Sequence, residues 1–316
     1  MSAVLAVALP VFAVIAAGLA AGRFGATSAD DGAALNRFVF RIAMPAALFG
    51  LAAGVGDVDV RDLKPAAAYG LAAGVVILCV YALSRRAGAA PQAAGARALA
   101  ASFGNAVFIG LPIALVVDGW SRPFVLMMLV EGLGVLSIGA ALIAPRPQTA
   151  TGSFGRALGG ALIRALKNPL VAAMIAGLAW GGLATRLRLG FDGPVADVIA
   201  ILGRAAGPTA LFALGVFFAT TRFPPVRDAG PAVALVVVAK MALLPALAYA
   251  FARLLGVAGD DALGPLMLFT LVPSAVGSFV IASAYDVETN AVAAAVATTT
   301  AVSLVTVSAV LAVFAP

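Results

Sequence analysis

The chain has 316 residues, of which 63% are hydrophobic and only 11% charged, with a mean hydropathy of +1.10. A soluble domain carries about 25% charge, so the solvent of this chain is lipid. It holds no histidine and one cysteine, Cys79, which excludes an internal disulfide, a Cys/His zinc site, a Ser-His-Asp triad and a Cys-His dyad. The net charge of +6 and pI near 10.1 point to basic membrane-flanking loops and not to nucleic acid, because basic and aromatic residues form no common stripe.

Apolar runs long enough to cross a bilayer follow one another without the period-two alternation of a membrane barrel. Ten spans are predicted, at about 3–22, 33–54, 66–83, 96–117, 123–144, 168–185, 195–219, 230–252, 262–284 and 289–314. The first has no basic region before it and so reads as a membrane helix, not a signal peptide.

The pattern is written twice. Pro10 with Gly18-Leu19-Ala20 and Gly22 returns as Pro169 with Gly177-Leu178-Ala179 and Gly181. Pro45-Ala46-Ala47-Leu48-Phe49 returns as Pro208-Thr209-Ala210-Leu211-Phe212, each proline preceded four residues earlier by an arginine, Arg41 or Arg204. A repeat of this length is a half-domain and not a solenoid unit. The chain divides into residues 1–144 and 168–316, joined by a cytoplasmic link at 145–167 rich in proline, glycine and polar residues. Five spans per half is an odd number, so the second copy enters from the opposite side and the repeats are inverted.

Orientation follows the basic residues. With the N-terminus outside, the inner links hold ten of them, among them Arg85, Arg86, Arg156, Arg164 and Lys167, and the outer links six. The expectation is N-out and C-out. Away from the links stand four cations, Arg37, Arg41, Arg204 and Lys240, and one acid, Glu131. A charge at mid-bilayer costs at least about 2.5–3.5 kcal/mol, so these residues are expected to face the protein interior or a water-filled cavity.

Two spans carry helix breakers at matching places. Span four reads Ser102-Phe103-Gly104-Asn105 through Gly110-Leu111-Pro112, and span nine holds Pro273-Ser274-Ala275-Val276-Gly277-Ser278. If both helices break near the midplane and cross, half-helix N-termini present free N–H groups to an anion, and freed carbonyls accept a cation or a donor. Asn105, Gly110, Pro112, Pro273, Ser274 and Ser278 are therefore the candidate substrate-site positions. Read singly, the polar ones are ordinary helix–helix hydrogen bonds.

Arg41 and Arg204 approach the midplane from opposite leaflets in the inverted arrangement. The roles open for them are a guanidinium clamp on a carboxylate, or else snorkelling to the headgroups or a cap on carbonyls released by Pro45 and Pro208. Glu131 and Lys240 likewise either pair structurally or couple transport to an ion, with Glu131 the group that would take a proton.

These strings resemble the auxin efflux carrier family of permeases, which includes plant PIN carriers and bacterial carriers of malonate or malate. The residues that carry the resemblance are Leu35-Asn36-Arg37-Phe38-Val39-Phe40, Pro45 to Phe49, Gly104 to Pro112, and span nine from Pro273 to Phe279-Val280-Ile281-Ala282 and Tyr285. It implies an all-α membrane protein of ten helices in two inverted five-helix repeats. It also implies crossover helices four and nine at the substrate, a transport domain moving elevator-fashion against a scaffold domain, and pairing of two copies through the scaffold.

The chain has no long hydrophilic central loop, and its arginines favour a small carboxylate such as malonate over auxin. A sodium-coupled bile-acid-type symporter is the second reading and wants more acidic or amide ligands than Glu131 and Asn105. An intramembrane enzyme is the third and wants histidine or clustered acids. No Gly-x4-Gly-Lys-Ser/Thr string is present, so the expected driving force is a gradient of substrate, protons or sodium, with no cofactor.

Overall fold

The computed structural model describes residues 2–55, 58–144, 154–187, 189–221 and 230–315. Among them the structure is helical, with no strand beyond an isolated antiparallel bridge between Gly104 and Ser274. Seven helices among the described residues are long and apolar enough to cross a membrane: Ala29–Gly54, Val60–Arg86, Ser121–Ile143, Pro169–Leu187, Pro194–Thr220, Pro231–Leu254 and Thr289–Phe314. Three more predicted spans are occupied by α1 (Ser2–Arg23) and by two helices that are interrupted, within 91–114 and 260–284.

In chain order the elements are α1; α2 (Ala29–Phe38) running into α3 (Met44–Gly54); α4 (Val60–Arg86); α5 (Pro91–Ser102) and α6 (Leu111–Ala114); and α7 (Ser121–Val130) running into α8 (Leu136–Ile143). They continue with α9 (Phe154–Leu166), α10 (Pro169–Leu187) and α11 (Pro194–Thr220). After these come α12 (Pro231–Val238) running into α13 (Leu244–Leu254), α14 (Asp260–Leu271), α15 (Val276–Ala284) and α16 (Thr289–Phe314).

The starts are legible in residue chemistry. Ser28 with Asp31, and Asp59 with Asp62, form capping boxes at α2 and α4. Proline, whose missing N–H costs nothing in the first turn, opens α5, α10, α11 and α12.

Three prolines inside the spans are absorbed by π-helical turns, whereas Pro10, Pro65, Pro208 and Pro265 lie within continuous α-helices. Val39–Ala43, Ala106–Gly110 and Ala239–Leu243 are such turns, and each is followed two residues later by Pro45, Pro112 or Pro245. In each, the residue just before the proline donates its N–H five residues back: Met44 to Val39, Leu111 to Ala106, Leu244 to Ala239. A proline ring clashes with the carbonyl four residues earlier; the wider turn moves that carbonyl aside and the helix continues. A fourth π turn, Glu131–Val135, has Gly132 and Gly134 in place of a proline.

The helices sort into two bodies. A panel is built from α1, α2–α3, α10 and α11, and a core from α4, α5–α6, α7–α8, α12–α13, α14–α15 and α16. The panel thus takes the helices at predicted spans one, two, six and seven, and the core those at the other six.

In the panel the repeated motifs meet crosswise. Gly18 of α1 lies directly on the carbonyl of Phe212 in α11, and Gly177 of α10 lies on the carbonyl of Phe49 in α3. A methyl group on Gly177 would stand 2.5 Å from that oxygen and 2.7 Å from Ala52 Cβ. The repeated glycines therefore let each half's first helix press backbone to backbone on the other half's second helix, the packing that membrane helices favour in place of a hydrophobic driving force. The core is closed by aromatics, with Phe269 edge-on to both Tyr69 and Phe124 at 4.7 and 4.8 Å between ring centroids.

Two expectations change here. The region 145–167 is not a plain link: 145–153 lie outside the described residues, but Phe154–Leu166 is a helix that packs on α8. And span four does not break at Pro112, which sits in the first turn of α6 behind the π turn that accommodates it. The chain opens at Phe103-Gly104-Asn105 instead, where glycine and asparagine tolerate non-helical backbone. Pro273 does lie in the break of span nine, between α14 and α15.

Candidate functional site

The two breaks lie against each other inside the core. Asn105 N–H donates to Pro273 O at 2.8 Å and Ala275 N–H donates to Phe103 O at 3.0 Å, flanking the Gly104–Ser274 bridge. Each interrupted helix thus satisfies part of the other's exposed backbone, as hydrocarbon surroundings demand.

Side chains settle the remaining carbonyls. Ser274 Oγ donates to Ala100 O at 2.7 Å and Lys240 Nζ to Thr270 O at 2.8 Å, while the single O–H of Tyr69 stands between Ser102 O at 3.2 Å and Glu131 Oε1 at 2.9 Å. Thr299 Oγ1 accepts from Ser274 N–H at 3.0 Å, and Ser278 Oγ donates to Ala275 O at 2.6 Å. The two serines proposed as substrate donors are therefore occupied within the crossing. They hold its shape.

Glu131 and Lys240 stand on either side of Gly104. Glu131 Oε1 accepts from Gly104 N–H at 2.8 Å and from Tyr69 OH at 2.9 Å. A methyl group on Gly104 would lie 3.4 Å from both Glu131 Oε1 and Lys240 Nζ. The two side chains are buried, and they are held by separate backbone groups of the crossing, with no direct ion pair. The pairing anticipated between them is not a direct contact: both side chains end close to Gly104, Glu131 on its N–H and Lys240 on Thr270 O. Both bonds accepted by Glu131 arrive at one oxygen of its carboxyl group, which anchors the side chain to the backbone of the break.

Asn105 is different. It is 3% exposed and its Nδ2 has no partner. It stands at the start of the helical segment leading into α6, and Ala275 stands at the start of α15, so the starts of two half-helices without side-chain caps lie beside it; in α15 Ser278 N–H is taken by Ala275 O at 3.0 Å.

These groups border a cavity of about 100 Å³ between core and panel. Its core wall includes Gly104, Asn105, Val107, Glu131 and Gly277, and its panel wall Phe40, Asn168, Val171 and Met174. An adjoining cavity of about 360 Å³ shares Phe40, Phe108 and Asn168 and adds Asn36 and Phe217. The space extends past Asn168 to a cleft lined by Arg164 and Tyr285. At the other end, Pro112 packs against Gly207 of α11, where a methyl group would lie 3.6 Å from the proline ring.

Of the remaining sequence candidates, Gly110 does not line the cavity; a methyl group there would lie 2.5 Å from Phe124 Cζ, so it makes room for that ring. Pro112 is likewise a contact between core and panel. The arginines do not converge: both are exposed and neither borders the crossing cavity. Arg204 lines a separate cleft with Asp192 and Asp197, and its Nε donates to Ala200 O at 3.3 Å. The carbonyl that Pro208 releases is that of Arg204 itself, so neither the clamp nor the cap is formed there.

Sequence reasoning missed Tyr69, Thr270, Thr299 and Asn168. Asn168 had a signal, because it immediately precedes the helix-opening Pro169 and its Oδ1 accepts from Leu170 N–H at 2.9 Å.

A long apolar helical chain whose interrupted helices meet at a buried polar point beside an internal cavity is the architecture of a membrane permease. The chain belongs to the family described as membrane transport protein, the auxin efflux carriers: the family model matches residues 3–311. It is similar to the "Putative malonate transporter" of Rhizobium meliloti (strain 1021), with 28% identity over 316 residues, covering 98% of this chain and 96% of the relative.

Proposed function

We propose that the chain is a secondary carrier of small organic anions, with malonate as the foremost substrate, and that the crossing at Asn105 is where the anion binds. The observation that carries this reading is the unpartnered Nδ2 of buried Asn105 beside two half-helix N-termini without side-chain caps. Amide donors and positive dipole ends aimed into an apolar cavity suit a carboxylate and leave a cation without ligands. The name of the Rhizobium relative supports the substrate class.

The reading includes ten spans in two inverted five-helix repeats, with spans four and nine crossing. The crosswise meeting of Gly18 with Phe212 and Gly177 with Phe49 supports the repeat. A cavity walled on one side by the panel and on the other by the core supports transport by displacement of one against the other. With the N-terminus outside, the end bearing Arg164 faces the cytoplasm, and the structure is inward-facing with its outer side closed at Pro112 and Gly207.

The test is uptake of labelled malonate, malate and a neutral control into proteoliposomes, with proton and sodium gradients imposed separately. Saturable malonate uptake is expected. Asn105→Ala should raise KM by about 10-fold or more, from the loss of a hydrogen bond to a charged group worth about 1.5–3 kcal/mol. Absence of saturable uptake of either dicarboxylate by the wild type would overturn the reading.

A further inference from the structure

Residues 145–167 hold four basic residues and no acid, and no acid occurs between Glu131 and Asp192. The helix in this stretch, α9, has three sides. Ala161 and Ala165, one turn apart, are buried where α9 packs on α8. Leu162, Ile163 and Leu166 are exposed, at 41%, 57% and 47%. Arg164 and Lys167, three apart and so on one flank, are exposed as well, and neither joins an ion pair among the described residues. A helix with an apolar side next to a basic one suits a lipid boundary, with its apolar residues among acyl chains and its cations at the headgroups. With the N-terminus outside, that boundary is the cytoplasmic one, where anionic lipids attract basic segments.

Beside the basic flank lies a cleft of about 250 Å³ where α8, α9 and α15 meet, lined by Ser137, Arg164, Asn168 and Tyr285. Ser137 is 2% exposed and its Oγ has no partner. Thr185 and Ser308 give their hydroxyl protons to the carbonyl four residues back, but Ser137 does not. A buried free hydroxyl sharing a cleft with a guanidinium is a donor pair for an anionic oxygen. The acids beside Tyr285 leave it free for that role: Glu288 is held by Arg97 at 2.8 Å, and Asp286 joins no ion pair among the described residues.

We infer that this cleft and the basic flank of α9 form a seat for an anionic phospholipid of the cytoplasmic leaflet. Arg164, Lys167 and the Ser137 hydroxyl hold its phosphate, while Leu162, Ile163 and Leu166 lie among the surrounding acyl chains. The inference uses the N-out orientation and is independent of which anion is carried. Because α9 packs on α8 of the core and leads through Lys167 and Asn168 into α10 of the panel, a lipid held there braces the two bodies at the cytoplasmic boundary.

The experiment is thermal unfolding of the purified full chain in an uncharged detergent, titrated with phosphatidylglycerol, phosphatidylcholine or inorganic phosphate. Wild type should gain several degrees, saturably, from phosphatidylglycerol and little from the other two. Arg164→Gln/Lys167→Gln should melt with the wild type in detergent alone and lose most of the gain. Ser137→Ala should need several-fold more phosphatidylglycerol for half of the gain. Arg85→Gln/Arg86→Gln, at the cytoplasmic end of α4 and outside the cleft, should keep the gain in full.

An equal gain from phosphatidylcholine would show that any lipid suffices, and an equal gain from inorganic phosphate would show a site for free anions; either overturns the inference. So does a glutamine pair at 164 and 167 that keeps the gain, or loss of the gain in the Arg85/Arg86 variant, which would reduce it to the general attraction of basic loops. Should the pair at 164 and 167 fail to fold, Ser137→Ala decides, and an unchanged half-maximal lipid concentration overturns the inference.

Discussion

Gly177→Ala tests the panel directly. The new methyl group would stand 2.5 Å from Phe49 O and 2.7 Å from Ala52 Cβ. Ordinary contacts of these kinds begin at about 3.3 and 3.5 Å, so α10 and α3 must separate by about 0.8 Å, and both atoms demand the same displacement. Neither neighbour is the free end of a flexible side chain; one is backbone and the other a β-carbon, so the whole helix must move. Overpacking of this kind costs about 1–3 kcal/mol. Alanine returns up to about 1 kcal/mol in helix propensity, which leaves a net destabilisation of up to about 2 kcal/mol.

The matched control is Gly74→Ala in α4, where nothing lies within 4 Å of the new methyl group; there only the propensity gain remains, and the sign reverses. At about 2 °C per kcal/mol, the two variants should differ in Tm by several degrees in opposite directions from wild type. Fluorescence-monitored melts in one detergent decide it. A Gly177→Ala protein that melts at or above the Gly74→Ala protein would show that α10 and α3 do not touch through their backbones.

Two further outcomes separate the roles of the charged residues. Glu131→Gln keeps an oxygen to accept from Gly104 N–H and Tyr69 OH but removes the charge facing Lys240, whereas Glu131→Ala removes both; the expected order of Tm is wild type, then glutamine, then alanine, with the alanine variant lower by about 3 kcal/mol or more. Equal melting of the two variants would show that Glu131 does not hold the crossing by hydrogen bonds. Arg41→Gln and Arg204→Gln, at exposed positions outside the cavity, should each change the malonate KM by less than about twofold, and a tenfold rise in either would return that arginine to the binding site.

Much of the architecture was legible because lipid leaves few alternatives. Span positions agree with the helices to within a few residues, since an apolar run of about 20 residues has one way to satisfy its backbone. The repeat was visible in glycines and prolines, whose roles are backbone roles and therefore survive in sequence. What could not be read was where a helix opens. Pro112 and Pro273 look equivalent in a string, yet the π turn over Ala106–Gly110 absorbs the first and Gly104-Asn105 takes the break. Whether a proline kinks, widens or breaks its helix depends on neighbours that arrive from other spans. The same holds for the arginines. Spacing placed each one turn before its proline, but which way a residue faces around a helix is decided by packing, and both face outward.

The serines failed as ligands, and the reason bears on how the site selects. A break in a buried helix exposes donors and acceptors in equal number, and a protein in lipid must satisfy whichever of them its substrate does not. Ser274 and Lys240 both spend donors on carbonyls of the crossing, while Nδ2 of Asn105 remains uncommitted. The acid that lines the cavity does not spoil this balance, because Oε1 of Glu131 is engaged by Gly104 N–H and Tyr69 OH and Lys240 lies across the same glycine. The cavity therefore offers donors without an unopposed negative charge. On the proposed reading, selection for an anion is written less in the residues that would touch it than in those that remove the competing carbonyls.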